Sequence, residues 1–131
     1  MKLAEALRIV QSAPPASAEK LPVFVACGFL PLHLATFLEA HLRLLLPERA
    51  IEIQTGLYGD LAGNLERLKN SATDSGVVVF EWSDFDLRLG LRSLGGWGPD
   101  VLSDIVDEVP LRANRFLQLL NQAAAVKPLA I

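Results

Sequence analysis

Apolar and polar positions along this chain alternate between two periods, and the alternation predicts its elements. Residues 1–11 carry apolar positions at helical spacing with Lys2, Glu5 and Arg8 on the other face. The stretch 12–20 (SAPPASAEK) reads as a linker, because Pro14 and Pro15 stop a helix. Residues 21–26 (LPVFVA) form a short continuous apolar run, the pattern of a strand buried on both faces, and Cys27-Gly28 ends it. Pro31 suits the first turn of a helix reaching about Leu46, with Leu34, Phe37, Leu38, Leu42 and Leu45 at helical spacing. Residues 50–55 (AIEIQT) alternate as a second strand, and 61–69 form a further helix. Residues 77–82 (VVVFEW) are the strongest strand signal. A long loop, 83–99, follows it. Asp100 then caps a helix with Val101, Leu102, Ile105, Val106 and Val109 on one face, broken or kinked at Pro110 and resuming through Phe116, Leu119 and Leu120. Residues 127–131 read as the start of another buried strand.

Strand and helix taking turns predict an α/β fold, a three-layer sandwich around a short parallel sheet. Right-handed crossovers favour the strand order 2-1-3, with the terminal stub beside the third strand. The domain expected is 21–131, preceded by an N-terminal helix and linker over 1–20. A chain ending inside a strand reads as incomplete at its C-terminus, a piece of a longer protein. In such sheets ligands bind beyond the carboxyl ends of the strands, at the switch point. That rule nominates the loops 27–31, 56–60 and 83–99.

Composition narrows the possibilities further. The chain has 131 residues, which suits one domain, and 51% are apolar, enough for a core. Twelve basic residues against 15 acidic ones leave a net charge of −3, without the basic patch of a nucleic-acid binder. No stretch has the apolar length of a membrane span, and the N-terminus lacks the apolar segment of a signal peptide. The single cysteine excludes an internal disulfide. The cytoplasm is the default compartment. The exposed edge of a small sheet offers a route to a homodimer.

Candidate chemistry gathers in the nominated loops. Cys27 ends the first strand and His33 opens the next helix, a conceivable pair, although a cysteine after a core strand is more often a buried apolar residue. His41 falls between Leu38 and Leu45 and reads as a core or boundary histidine. The two histidines are eight apart, off the spacing of a helical zinc pair, and no metal-ligand pattern or cofactor motif appears. Gly56-Leu57-Tyr58-Gly59-Asp60 needs a positive φ, and Tyr58 is placed to line a cleft. Glu81, Asp84 and Asp86 form the densest polar cluster. Glu81, among apolar neighbours, is expected to pair with Arg88 or Arg92; anion binding by these arginines is the other reading. Gly95-Gly96-Trp97-Gly98-Pro99 is glycine-rich without a phosphate-binding lysine. Trp97 has two readings there, packing onto the domain or anchoring a partner.

A strand ending in a small residue, a strand followed by G-x-Y-G (Gly56, Tyr58 and Gly59 in its loop), and VVVFEW followed by DFDLRLG and GGW together resemble the N-terminal domain of FkbH-like proteins. That domain is similar in fold to SGNH (GDSL-type) hydrolases and thus flavodoxin-like in outline. In the family it precedes a HAD-type phosphatase-like domain concerned with carrier-protein loading in polyketide-type biosynthesis. The resemblance covers about residues 21–131. The departures bear on activity. Cys27-Gly28 stands where the hydrolases place a nucleophilic serine. Gly56 or Gly59 matches their glycine, while Glu81, Asp84 and Asp86 occupy the region of their asparagine. Their terminal Asp and His have no match, and Asp84-Phe85-Asp86 lacks the threonine of a HAD motif. The resemblance therefore implies a non-catalytic accessory domain with no metal or cofactor, docking a downstream HAD-type domain or a carrier protein through Tyr58, Arg92 and Trp97. The alternative is an SGNH-type esterase with degenerate catalytic residues or with residues beyond this chain.

Overall fold

The computed structural model describes residues 1–90 and 98–131. Helix α1 (Leu3–Gln11) is followed by β1 (Glu19–Cys27), α2 (Leu32–Leu45), β2 (Arg49–Thr55), α3 (Leu61–Asn70) and β3 (Ser75–Val79). A single-turn helix α4 (Trp82–Phe85), a 3₁₀ turn Leu87–Leu89, α5 (Pro99–Ala124) and the short β4 (Leu129–Ala130) complete the order. All strand pairs are parallel, and the sheet runs β2-β1-β3-β4. The C-terminal segment expected as a stub is thus a paired fourth strand, Gly76 and Val77 facing Leu129 and Ala130. Lys127 secures its approach: Nζ donates to the Ser71 carbonyl at 3.0 Å, the Ser71 hydroxyl at 2.9 Å and the Thr73 carbonyl at 3.2 Å.

β1 lies inside the sheet, so both its faces must be covered, which is why its sequence is a continuous apolar run. Phe24 and Ala26 face one side and pack with Leu61, Leu65 and Leu68 of α3, Val78 of β3, and Phe116 and Ala123 of α5. Val23, Val25 and Cys27 alternate to the other side and are equally buried. On that side α2 packs along β2, and α1 stacks on α2.

Several sequence expectations are corrected. The linker ends sooner than residue 20, because Glu19 and Lys20 already pair with Arg49 and Ala50. β1 meets β3 only from Val23 onward, so its first residues stand at an open corner where charges stay solvated. There Glu19 pairs with Arg49 and Lys20 with Glu52 (2.7 Å). The third strand stops at Val79 and does not run to Trp82. Val79 is the last residue with a partner on β1, and β4 is too short to support more. Past it, Phe80 and Glu81 leave the sheet and Trp82 opens α4 inside the segment expected to be extended. α5 is one helix through Pro110, with Gly98 at its N-cap and Pro99 in its first turn. Proline removes the hydrogen bond to the Val106 carbonyl, but Val106 and Pro110 are both exposed, where that carbonyl stays solvated.

His41 is exposed, not core or boundary, and so is Leu45. α2 turns its fully buried contact, Ala40, elsewhere because a second helix packs on it. Arg43 clamps that helix. Its Nη1 donates to the Ser12 carbonyl at 2.7 Å, taking up the open end of α1, while Nη2 pairs with Glu39 at 2.7 Å. The N-terminal helix is therefore docked onto the domain.

Candidate functional site

At the carboxyl ends of the strands the β1–α2, β2–α3 and β3–α4 connections come together and, with α5, enclose an open cleft of about 1410 Å³. It lies outside β1 and β3, where the sheet order reverses, which is where parallel α/β sheets bind ligands. Gly28, Tyr58, Gly59, Glu81 and Asp84 line it. Leu30, Trp82, Leu87, Arg112, Arg115 and Phe116 add to the lining.

The loops are held by their own backbone. The Gly59 N–H donates to the Gly28 carbonyl at 2.8 Å, joining the first two connections, and Gly59 takes the left-handed φ of 73° that the turn requires. Beneath them lies Asn64, fully buried on α3. Its Nδ2 donates to the carbonyls of Cys27 (2.8 Å) and Leu57 (2.7 Å). Its Oδ1 accepts from the Leu57 N–H and from Arg67, each at 2.8 Å. One side chain thus ties the end of β1 to the loop after β2. Gly56 sits against it, where a Cβ would come 2.0 Å from Oδ1. Asp60 caps α3 through the Gly63 N–H at 3.0 Å and pairs with Arg67 at 2.9 Å; the Arg67 guanidinium holds its carboxyl below the usual range.

Cys27 lies under the cleft floor, buried, its thiol donating to the Phe29 carbonyl at 3.2 Å. Burial pushes its pKa up, and the nearby Asp84 and Glu81 carboxylates push the same way. Such a thiol stays protonated at neutral pH, the opposite of an activated nucleophile. His33 is exposed on α2 and does not line the cleft. Asp84 reaches back toward Gly28, where a Cβ would stand 2.1 Å from its Oδ1, and Oδ2 accepts the Glu81 N–H at 2.7 Å. Burial raises its pKa, with the Glu81 charge adding to the effect.

Arg88, one of the two partners expected for Glu81, pairs with Asp86, and Arg92, the other, lies outside the described residues. Glu81 is exposed because its strand has already ended, whereas Asp86 is 5% exposed. Arg88 donates to Asp86 through Nε at 2.9 Å and Nη2 at 2.7 Å, and through Nη1 reaches Asp104 of α5 at 2.7 Å. This brace fastens the β3–α5 connection outside the cleft. The Arg88 guanidinium lowers the Asp86 pKa from 3.8 to about 2. A carboxyl depressed on folding adds stability that is complete above its unfolded value and lost as pH falls toward the folded one. Melting temperature is therefore expected to drop between pH 3.8 and about 2, and the gap to Asp86→Asn to close over that window. A gap independent of pH would show that this pair carries no such linkage.

Of the residues nominated from sequence, Gly28, Tyr58, Gly59, Glu81 and Asp84 meet on the cleft. Cys27 and Gly56 lie behind it, and Asp86 and Arg88 beside it. Arg92 and Trp97, with Gly95 and Gly96, lie outside the described residues. Asn64, Trp82, Arg112 and Arg115 were not nominated. The three-residue spacing of Arg112 and Arg115 put them on one helix face and was the available signal. Among the described residues no group of three or more His, Cys, Asp or Glu side chains is placed to hold a metal ion, and no helix is long and apolar enough to cross a membrane.

Fold and cleft together define a parallel α/β protein with a switch-point site. No family model, curated protein or solved structure matches the chain.

Proposed function

We propose that the chain is a non-catalytic accessory domain, SGNH-like and of the FkbH-like kind, that docks a partner protein at the carboxyl rim of its sheet. The observation that carries this reading is the row of large apolar side chains around the cleft. Leu30, Tyr58, Trp82 and Leu87 are 64%, 71%, 72% and 74% exposed. Apolar groups massed at a concave surface mark interaction sites, and Trp, Tyr and Arg are the residues that most often anchor them. A thiol buried and protonated where SGNH hydrolases carry their nucleophile supports a binding role over hydrolysis. A carrier protein in the cytoplasm is the partner we favour over a HAD-type domain, because Arg112 and Arg115 on the same rim suit an acidic surface.

The test is titration of the chain with a phosphopantetheinylated carrier protein, followed by Trp82 fluorescence or calorimetry. Trp82→Ala is expected to weaken binding about 30-fold and Tyr58→Ala about 10-fold, the range of aromatic anchors. Leu102→Ala, at an exposed apolar position of α5 away from the cleft, should leave affinity unchanged. Equal affinities for all three variants and the parent chain would end the docking proposal.

A further inference from the structure

Among the described residues, arginines 43, 49, 67 and 88 are committed to carboxylates. Arg112 and Arg115, like Arg8 on α1, are not. Both are exposed, both line the cleft, and neither makes a hydrogen bond or ion pair with a described residue. They project from one face of α5, three residues apart. Two guanidiniums on neighbouring turns of one helix face repel each other. Glu108 stands one turn before Arg112 on α5 and makes no ion pair with it. Asp60 holds Arg67 and the Gly63 N–H, and Asp86 holds Arg88, although each also feels one of the pair, Arg115 and Arg112 respectively. The cleft therefore has a cationic wall whose donors make no hydrogen bond or ion pair with a described residue.

We infer that this wall is a binding site for a small phosphomonoester, with Arg112 and Arg115 as the phosphate ligands. Guanidinium donors match phosphate oxygens in paired geometry, and a dianion between two of them relieves their repulsion. Glu81 and Asp84 line the cleft as well. They disfavour an anion on their own side and accept hydrogen bonds, so the non-phosphate end of the ligand carries hydroxyl donors. A hydroxylated phosphomonoester fits both walls, and a bare anion fits only one. The site goes beyond the docking proposal and needs no partner protein.

Glucose 6-phosphate, inorganic phosphate and glucose are suitable probes, titrated into the full chain at low ionic strength by calorimetry or amide chemical shifts. Glucose 6-phosphate is expected to bind at millimolar concentration or tighter, more tightly than inorganic phosphate, with glucose silent. Arg112→Gln and Arg115→Gln should each weaken it at least 10-fold, while Arg8→Gln, an exposed arginine on α1, should not. The arginine substitutions are at exposed positions, and having two single variants keeps the test open if one fails to fold. Failure of both phosphates to bind at 10-fold above that range, or an equal loss in Arg8→Gln, would overturn the site. Inorganic phosphate binding as tightly as glucose 6-phosphate would overturn the assignment of hydroxyl donors.

Discussion

Alanine at position 56 is expected to destabilise the protein by about 3–5 kcal/mol, a large part of the 5–15 kcal/mol typical of a whole domain. The new Cβ would stand 2.0 Å from Asn64 Oδ1 and 2.1 Å from its Cγ, far inside van der Waals contact. A flexible side chain would move aside. Asn64 cannot, because its amide is fixed to Cys27, Leu57 and Arg67 by bonds of 2.7–2.8 Å. Relief requires breaking the buried bond to the Cys27 carbonyl, which costs about 1–3 kcal/mol if left unmade, or the part-buried bonds to Leu57. Asn64→Ala is expected to cost about as much, for the second reason alone. The decisive measurement is the double variant in urea unfolding. Once the amide is gone there is room for the Cβ, so the two losses should fall short of additivity by most of the Gly56→Ala loss, about 3 kcal/mol. Strict additivity would mean that Gly56 is not there to make room for Asn64. The same variants should loosen the cleft, since the contact they break joins the end of β1 to the Tyr58 loop.

Phe116→Ala carries the next largest effect, about 3–5 kcal/mol. Phe116 is 8% exposed and meets Phe80 and Phe85 edge-on, each with centroids 5.6 Å apart, while those two rings stack on each other at 5.6 Å. The three rings join α5 to the end of β3 and to α4. Phe80 has already left the sheet, so no strand pairing replaces what the rings supply. Truncation leaves a void the surrounding backbone can fill only in part. Trp82, whose ring lies 6.3 Å from Phe85, should report the loosening of α4 as a change in its fluorescence before global unfolding. Phe116→Leu, which keeps most of the volume, should cost about 1.5 kcal/mol or less. A Phe116→Ala loss below 1 kcal/mol would show that the aromatic cluster is not what fastens α5.

Residues 21–26 show how far sequence alone reaches. Their unbroken apolar run reported burial on both faces, and with it an interior strand, a parallel sheet and helices on both sides. Those conclusions follow from one-dimensional periodicity, because a strand can satisfy both faces only in that setting. The first two rim loops, 27–31 and 56–60, were equally legible, since β-strands must end somewhere and glycine and tyrosine mark where. The expected loop 83–99, however, holds most of α4 and a 3₁₀ turn at Leu87–Leu89. What periodicity could not supply was length of pairing. VVVFEW has strand propensity throughout, yet it pairs only to Val79, because pairing depends on where Cys27 and Ala130 end on the neighbouring strands. With that shift Glu81 and Trp82 are exposed, and Arg88 pairs with Asp86.

The sequence by itself determined the class of fold, the parallel direction of the strands and the end of the sheet at which loops converge, since these depend on the order and period of apolar residues along the chain. Tertiary structure decided which side chains share the cleft. Arg112 and Arg115 reach it from a helix that begins at residue 99, and Asn64 bonds a carbonyl 37 positions away. Proximity of that kind is a property of the closed fold, set by crossover geometry and packing, and leaves no local trace in composition or spacing.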